Sequence, residues 1–379
     1  MAQFRVLSSD SHVVEPPNLW LDHMDPAYGD AIPRVVETSE ADHWFINGAP
    51  VPNGEPSRFA QAGKRFEKPL EIDFRGSFRD VPLGGYNPDA AVREMGVDKV
   101  NGGVVYPSFG LVLYAVPGAD VLRPIFAAYN DWLAEFCQTY PGHLKGVAMI
   151  IFDGDIPGAA AELRRAAGLS LAGAMISVYP SQDQTYDLPE YEPFWTAAEE
   201  MDMPLSLHVV TQRPLPPGSG LPPDSFTTAS GRTNNDYWPR MSMSHMLFSG
   251  VFERHPGLKV VNVEHELGWI PYFLYRMDVN YVDNTNLAPY RFKNNAVPSD
   301  FMRTNVFRSF QEDPLGIRFR DLIGVDNLLW GSDYPHREST FPRSQQILDH
   351  ILEGVPEDER AKIVGENTAR LYKFPVFQE

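Results

Sequence analysis

The chain has 379 residues, of which 43% are hydrophobic and 22% charged, a balance typical of a soluble globular protein. Its 50 acidic and 32 basic residues give a formal charge of −18, so we expect neither nucleic acid nor an anionic membrane as a partner. The single cysteine, Cys137, excludes a disulfide framework, and no apolar stretch predicts a membrane span. The first residues, MAQFRVLSSDSH, lack the pattern of a secretory signal, so we expect a cytoplasmic protein.

Short apolar runs alternate with helical patterns along most of the chain. The runs are rich in Val, Ile, Leu and Phe, as in strands that are buried on both faces of a parallel sheet. Strands are predicted at residues 4–8, 100–107, 144–152, 171–178, 204–210, 258–264, 304–310 and 327–333. Helices are predicted at residues 88–96, 120–140, 155–168, 189–201, 236–256, 267–282, 313–324, 344–354 and 357–374. This alternation predicts a single α/β domain over residues 1–379, a (β/α)8 TIM barrel.

Two predicted loops are longer than the usual connection of a few residues. Residues 13–87 separate the first strand from its helix and include a hairpin-like segment, WFINGAPVP, at 44–52. Residues 211–235 follow the fifth strand. Both loops leave the carboxyl ends of their strands, where barrel enzymes build active sites. We therefore expect the first insertion to form a cap over the site and the second to act as a lid.

Ligand-type side chains stand at the carboxyl ends of three predicted strands. Asp10 and His12 follow the first strand, His208 lies in the fifth, and Asp333 ends the eighth. Asp10 and His12 are two residues apart on an extended segment, so their side chains point to the same side and can bind one ion together. Imidazole nitrogens and carboxylate oxygens are suitable ligands for zinc, manganese or ferrous iron. The pattern therefore predicts a metal site formed by these four side chains.

Five further residues are candidates for a second ion or for supporting the first. Glu264, His265 and His336 also lie at strand ends. Glu15, in the sequence HVVEP, is either a ligand or a partner that holds a ligand imidazole in one tautomer. His245 lies in a helical pattern, MSMSHML, which favours a core histidine over a ligand.

The substrate pocket is harder to place from the sequence. Trp269 follows His265 by one helical turn, so we expect it to pack beneath the site. Arg213 and Arg337 lie in loops after strands and are candidates for binding an anionic substrate, although a loop arginine is usually solvated. Aromatic residues near several strand ends suggest a partly aromatic pocket.

The motifs SSDSHVVEP, PLSLH, SGVFERHPGLKVVNVEHELGWIPY, LLWGSDYPH and GENTARLY resemble those of the amidohydrolase superfamily. The chain is similar to amidohydrolase family 2, the amidohydrolase-related branch with the aminocarboxymuconate-semialdehyde and γ-resorcylate decarboxylases. The similarity covers about residues 4–374. It implies a metal-dependent enzyme on a (β/α)8 barrel, but it does not specify the substrate.

Position by position, the resemblance makes Asp10, His12, His208 and Asp333 the metal ligands. It makes His265 a catalytic histidine that polarises the substrate or a metal-bound water, and Asp333 the proton shuttle in hydrolysis. In a decarboxylase the corresponding acid protonates the carbon that loses CO2.

Two positions depart from the pattern of the family. Ser177 is the only ligand-type residue of the fourth strand, where binuclear hydrolases carry a carbamylated lysine. Gly268 stands where some decarboxylases of the branch carry a glutamate. The first difference disfavours the binuclear hydrolase subtype, and the second weakens a close match to the resorcylate enzymes.

The sequence thus predicts an enzyme that hydrolyses or non-oxidatively decarboxylates a small organic molecule with one divalent ion, zinc first and manganese or iron as alternatives. A second reading is a dinuclear non-haem iron or iron–manganese oxygenase, in which some of the additional candidates bind a second ion. A third is a non-catalytic metal-binding subunit that supports a paralogous active chain. We expect a homodimer or a hetero-oligomer with a paralogue.

Overall fold

Eight parallel strands form the centre of the structure, a computed structural model that describes residues 5–181, 183–215 and 228–376. The strands are β1 (Ser8–His12), β2 (Arg34–Glu37), β3 (Asp42–Ile46), β4 (Ala49–Pro50), β5 (Gly103–Tyr106), β6 (Leu144–Met149), β7 (Gly173–Ile176), β8 (Leu205–His208), β9 (Val260–Val263), β10 (Val306–Phe310) and β11 (Leu328–Trp330). The central sheet has the order β1-β5-β6-β7-β8-β9-β10-β11. A parallel bridge between Ser11 and Tyr334 joins its two ends, so the barrel is nearly closed. The predicted (β/α)8 barrel is confirmed.

The barrel strands are buried along almost their whole length, as the apolar sequences of most of them predict, and Lys145 of β6 is the partly exposed residue. In β9, for example, all residues of the sequence VVNV are buried, because the barrel interior covers one face and the helices cover the other. Seven of the predicted runs contain the observed strand. The first prediction is wrong in its bounds, because β1 begins at Ser8, where residues 4–8 were expected to form the strand.

Hydrogen bonds explain the shift of the first strand. The apolar residue Leu7 donates its backbone N–H to the carbonyl of Val364, outside the barrel sheet. The polar sequence SSDSH forms the strand in its place, because its serine side chains find partners within the barrel. Ser8 Oγ, for example, donates to the carbonyl of Asp10 at 2.7 Å. Polar groups that are paired in this way can be buried at little cost.

Helices surround the barrel. The α-helices extend over Leu19–His23, Lys64–Glu67, Pro88–Val97, Phe109–Leu113, Ala119–Gln138, Ile156–Gly168, Glu192–Glu200, Ala229–Thr233, Tyr237–Phe248, Val251–Arg254, Ile270–Asp283, Pro298–Asn305, Pro314–Arg318, Arg320–Ile323, Ser344–Ile351, Glu357–Ala361 and Asn367–Leu371. The single helix predicted at 236–256 is interrupted at Gly250, whose φ of 77° is left-handed. Within the described ranges, no helix is long and apolar enough to cross a membrane.

The long insertion after β1 contains a small antiparallel sheet of its own. β3 pairs with β2 on one side and with β4 on the other, and the β3–β4 pair matches the hairpin-like segment predicted at 44–52. The buried ring of Trp44 stacks on Phe109 with centroids 4.6 Å apart, so the insertion packs against the segment that follows β5. Its role as a cap stays a prediction. The lid predicted at 211–235 also stays a prediction, since residues 216–227 lie outside the described part of the chain.

Candidate metal centre

Four predicted ligands meet at the carboxyl ends of the barrel strands. Asp10 and His12 lie on β1, His208 ends β8, and Asp333 follows β11. His12 Nε2 is 3.2 Å from Asp10 Oδ1 and 3.3 Å from Asp333 Oδ1. His208 Nε2 is 3.5 Å from Asp10 Oδ1. All four residues are buried. The structure therefore brings together the side chains that the strand-end pattern selected.

Backbone hydrogen bonds hold the two ends of the barrel sheet together at this point. The N–H of Asp333 donates to the carbonyl of Asp10 at 2.8 Å, and the N–H of His12 donates to the carbonyl of Tyr334 at 2.7 Å. Gly331 allows this close approach, because a Cβ at that position would lie 2.6 Å from Cβ of Asp10. Strand pairing itself thus fixes the two carboxylates of the cluster beside each other.

Three residues at strand ends have a left-handed backbone. The φ angles are 74° at Val210, 63° at Glu264 and 55° at Asp333. This region is sparsely populated by residues with a side chain, least of all by a β-branched valine. All three residues line the same cavity. Backbone strain of this kind is found at functional sites, where the surrounding structure holds it in place.

The donor atoms of the cluster fit a divalent cation. One ligand atom each from Asp10, His12 and His208 lie within 4.8 Å of one another, as do those of Asp10, Glu264 and Asp333, and those of His12, Asp333 and His336. In the described part of the chain, both carboxylate oxygens of Asp10 and of Asp333 are buried without a hydrogen-bond partner, as are Nε2 of His12 and of His208. Buried carboxylates without partners are costly, and a coordinated cation removes that cost.

One loop orients two of the histidines. His12 Nδ1 lies 2.8 Å from the carbonyl oxygen of Pro107, to which it donates when that nitrogen carries the proton. This tautomer leaves Nε2 free to face the carboxylates, as in most histidine metal ligands. The next residue, Ser108, places its Oγ 2.8 Å from Nε2 of His336. On its other side, His336 Nδ1 is 2.9 Å from Oδ1 of Asp333.

Glu15 holds this loop and is not part of the ligand cluster. Its carboxylate accepts the backbone N–H groups of Ser108 at 3.3 Å, Phe109 at 2.9 Å and Gly110 at 2.8 Å, where the helix Phe109–Leu113 begins. Both oxygens are bonded to the backbone, and Glu15 is not in the described groups that can hold an ion, so direct ligation, one of the two predicted roles, stays a prediction. The other role is modified: Glu15 acts on the imidazoles through the loop and not by contacting them.

The carboxyl groups of the cluster differ in their electrostatic surroundings. Burial opposes the ionisation of Asp10, but the neighbouring rings of His12 and His208 hold the pKa of its carboxyl below the usual range. The pKa of Asp333 is likewise lowered by its histidine neighbours, although burial opposes this. Burial, and then repulsion from Asp333 and Asp10, raise the pKa of Glu264 well above its usual value. The site therefore concentrates negative charge that a cation would neutralise.

His265 and His245, both predicted as candidates, have different surroundings. His265 is buried next to the cluster, and neither ring nitrogen has a hydrogen-bond partner among the described residues. Burial, and then the neighbouring His208, lower its pKa to about 3, so the imidazole is neutral. Its catalytic role stays a prediction. His245 lies on the helix Tyr237–Phe248, outside the described groups that can hold an ion, with its ring 6.2 Å from that of Tyr179.

A cavity of about 540 Å³, large enough for a small organic ligand, is lined in part by Asp333 of the cluster. Its inner wall contains Glu264, Asp333 and His336, and the other lining residues are Asn53, Arg58, Phe59, Phe74, Leu111, Val112, Val210, Thr228, Ala229, Arg232, Arg337 and Glu338. Most of these were missed in the sequence, since they lie in loops that have no periodic pattern. Only Arg337, next to His336, was a candidate for the pocket in the sequence.

Of the three residues predicted for the substrate pocket, Arg337 lines this cavity, whereas Arg213 and Trp269 do not. Arg213 is buried, forms a two-pronged ion pair with Asp153, and donates to the carbonyl of Val116 at 3.0 Å. Its guanidinium is thus bound within the protein, and its predicted contact with substrate stays a prediction. Trp269 donates Nε1–H to the carbonyl of His265 at 2.7 Å and packs on Phe273. It is not among the described residues that line the cavity, and its predicted position beneath the site stays a prediction.

Known proteins share both the sequence pattern and the fold. The sequence profile of the amidohydrolase family matches residues 88–374. The γ-resorcylate decarboxylase of Rhizobium sp. (strain MTP-10005) is 27% identical over 282 residues, which are 68% of this chain and 79% of that protein. An amidohydrolase of Mycobacterium avium subsp. paratuberculosis superposes with a TM-score of 0.77 at 19% identity, over 98% of both chains. The 5-carboxyvanillate decarboxylase of Novosphingobium aromaticivorans, solved with bound manganese, has a TM-score of 0.65 at 18% identity, over 98% of this chain and 97% of that chain. The family resemblance drawn from the motifs is confirmed, and the chain belongs to the amidohydrolase family.

Proposed function

We propose that this protein is a divalent-metal-dependent decarboxylase of an aromatic carboxylic acid. The observation that carries the proposal is the buried cluster of Asp10, His12, His208 and Asp333, whose donor atoms lack partners and which lies beneath a cavity with aromatic and guanidinium walls. The similarity to proteins named as γ-resorcylate and 5-carboxyvanillate decarboxylases supports the reaction class.

The four residues of the cluster would hold the ion. A divalent ion at this position supplies Lewis-acid polarisation of a substrate oxygen. Mixed carboxylate and imidazole ligands suit zinc and manganese alike, so the donor set does not favour the zinc that we expected first. Because a similar protein contains manganese, manganese is the first ion to test.

Asp333 and His336 would handle the proton. In a non-oxidative decarboxylation the bond between the ring carbon and the carboxylate carbon breaks, its electron pair stays on the ring carbon, and CO2 leaves. The ring carbon then takes a proton. Asp333 lines the cavity, and its Oδ1 is 2.9 Å from Nδ1 of His336, so a proton can pass between the two groups. Ser108, bonded to the other ring nitrogen at 2.8 Å, keeps the imidazole in place.

The apolar side chains of the cavity would position the ring. Phe59 and Phe74 contribute aromatic walls to the cavity, and Leu111, Val112 and Val210 contribute aliphatic ones. The ring of Phe59 is 5.9 Å from that of His336, so an aromatic substrate between these walls lies beside the proton-handling pair. Apolar walls also exclude water, which strengthens the electrostatic interactions within the site.

The proposal is tested by incubating the manganese-loaded protein with 2,6-dihydroxybenzoate and with 5-carboxyvanillate, in air and without O2. We expect equal amounts of CO2 and of the decarboxylated phenol from at least one acid, at the same rate under both conditions. Consumption of O2 would support the dinuclear oxygenase in its place. Hydrolysis of amide or lactone analogues with no loss of CO2 from any acid would favour the hydrolase.

A further inference from the structure

A buried arginine lies on the outer face of the barrel sheet. Arg308 is the middle residue of β10 and has no exposed surface. The next residue, Ser309, places its Oγ 2.7 Å from that of Ser9 on β1, a strand that is not its neighbour in the sheet, so both hydroxyls point into the barrel. Because side chains alternate along a strand, Arg308 points outward. Its Nη2 donates to the carbonyl of Met302 at 2.6 Å, in the helix Pro298–Asn305, so the guanidinium is enclosed between sheet and helix.

The charge of Arg308 has no carboxylate partner in the described part of the chain. Its Nε and Nη1 are buried and form no hydrogen bond there, and Nη2 is bonded to a neutral carbonyl. The charged neighbour that acts on it is a second cation, Arg303. Burial, and then Arg303, lower the pKa of Arg308 to about 9, so the guanidinium still carries its charge at neutral pH. A buried charge without a counterion is costly to the fold.

The side chain of Asn262 lies beside Arg308. The parallel register pairs the two residues on β9 and β10, so their side chains project from the same face of the sheet. Asn262 is also fully buried, and neither Nδ2 nor Oδ1 has a hydrogen-bond partner among the described residues. The next residues in register on either side are apolar, Leu207 on β8 and Leu328 on β11. Two neighbouring polar groups are thus enclosed without the acceptors that their N–H groups need.

A small anion satisfies both side chains. A guanidinium has only donors, and the amide nitrogen of Asn262 donates as well, so the missing partner must accept hydrogen bonds. A water molecule can accept them, but it would leave the charge of Arg308 without a counterion. Because neither side chain has any exposed surface, the anion must be small, in the size range of a halide. A metal cation does not fit, since these groups offer N–H donors and a second cation lies nearby.

We propose that Arg308 and Asn262 form a structural binding site for a small monovalent anion, with chloride as the ion to test. The ion neutralises the buried guanidinium and thereby holds β9 and β10 to the helix Pro298–Asn305. This site lies on the outer face of the sheet, whereas the metal cluster lies at the carboxyl ends of the strands. The inference is therefore independent of the proposed function.

Thermal unfolding of the manganese-loaded protein tests the site. Chloride replaces gluconate at constant ionic strength, because gluconate is too large for an enclosed site and controls for general screening by salt. We expect the thermal midpoint to rise by about 1–2 °C for each tenfold rise in chloride above its Kd. Bromide should have the same effect. A midpoint that does not depend on which anion is present would overturn the site.

Replacing Asn262 distinguishes this site from every other place where chloride could bind. Asn262→Asp puts a carboxylate beside Arg308 in place of the ion. We expect this variant to have a higher midpoint than the wild type in gluconate and to show no further rise with chloride. Asn286→Asp, at an exposed position, is the matched control and should keep the rise seen in the wild type. If Asn262→Asp keeps the full chloride dependence, the ion binds elsewhere, for example at the manganese, and the proposal is wrong.

Crystals of the wild-type protein grown in bromide locate the ion without any variant, so the test does not depend on whether Asn262→Asp folds. We expect an anomalous-scattering peak within hydrogen-bond distance of Arg308 Nη1 and Asn262 Nδ2. Electron density at this place without an anomalous signal would identify a water molecule only and would overturn the proposal.

Discussion

The imidazole rings of His12 and His336 are stacked, with centroids 3.8 Å apart and planes inclined by 27°. Both rings contact the same loop, His12 through the carbonyl of Pro107 and His336 through the hydroxyl of Ser108. That loop is held in turn by the buried carboxylate of Glu15. The positions of a candidate ligand and of a proton-handling group therefore depend on one residue outside the cluster.

Replacing Glu15 should weaken the site without removing a ligand. Glu15→Gln exchanges one acceptor oxygen for an NH2 group that faces backbone N–H donors, so at least one buried hydrogen bond is lost. We expect the free energy of unfolding to fall by about 1–3 kcal/mol and the manganese affinity to fall with it. Chemical denaturation and metal titration measure the two effects. Glu353→Gln, at an exposed position, is the control, and a manganese affinity equal to that of the wild type would contradict the positioning role.

Asp333 combines two functions in this account, because it lies in the ligand cluster and contacts His336. Asp333→Asn keeps the size of the side chain but removes its charge and its capacity to carry the acidic proton. We expect the turnover to fall by at least about 100-fold, in the range typical for general acids, with the thermal midpoint little changed. The exposed Asp321→Asn should be as active as the wild type. Retained turnover in Asp333→Asn would place the proton donor elsewhere.

Arg213 should matter for stability and not for the substrate. Its guanidinium is buried and paired with Asp153, so Arg213→Gln leaves a carboxylate without its partner. We expect a loss of about 2–3 kcal/mol in the free energy of unfolding, with KM unchanged. Asp153→Asn is the matched variant. The double variant should lose less free energy of unfolding than the two single variants lose together. A selective rise of KM in Arg213→Gln would restore the substrate role that the sequence suggested.

The buried carboxyl group of Glu266 should make the stability of the fold depend on pH. Burial, and then the carboxylate of Asp313, raise its pKa from 4.5 to about 7. Because the folded-state pKa is the higher one, the folded protein binds more protons than the unfolded chain between these values, and stability is lost as the pH rises from 4.5 through 7. Relative to wild type, the Glu266→Gln variant should therefore gain about 2–3 kcal/mol in its free energy of unfolding between pH 5 and pH 8. Urea denaturation at several pH values measures this gain. Parallel profiles for the two proteins would show that Glu266 titrates normally.

The sequence predicts the barrel and the ligand cluster because both depend on regular structure. Buried parallel strands are continuous apolar runs, and the carboxyl ends of such strands meet at one face, so Asp10, His208 and Asp333 had to lie close together. The residues that line the cavity do not follow the sequence periodicity of a helix or a strand. Arg58, Phe74 and Arg232 come from segments whose paths depend on many irregular contacts.

Arg213 and Glu15 differ from their expected surroundings for the same physical reason. Arg213 stands close after β8 and has the chemistry of an anion-binding residue, but only the folded chain shows that Asp153 occupies its guanidinium. Glu15 has the chemistry of a metal ligand, but three backbone N–H groups reach its carboxylate first. Residue type indicates what a side chain can bind, and the local backbone decides what it does bind.

We expect the cluster of Asp10, His12, His208 and Asp333 to hold one catalytic divalent ion. Elemental analysis tests this on protein purified without chelator and reconstituted with manganese, compared with His208→Ala prepared in the same way. We expect about one ion per wild-type chain and far less in the variant. Two ions per chain would favour the dinuclear alternative. A wild-type protein that binds no ion, or a variant that binds as much as the wild type, would contradict the claim.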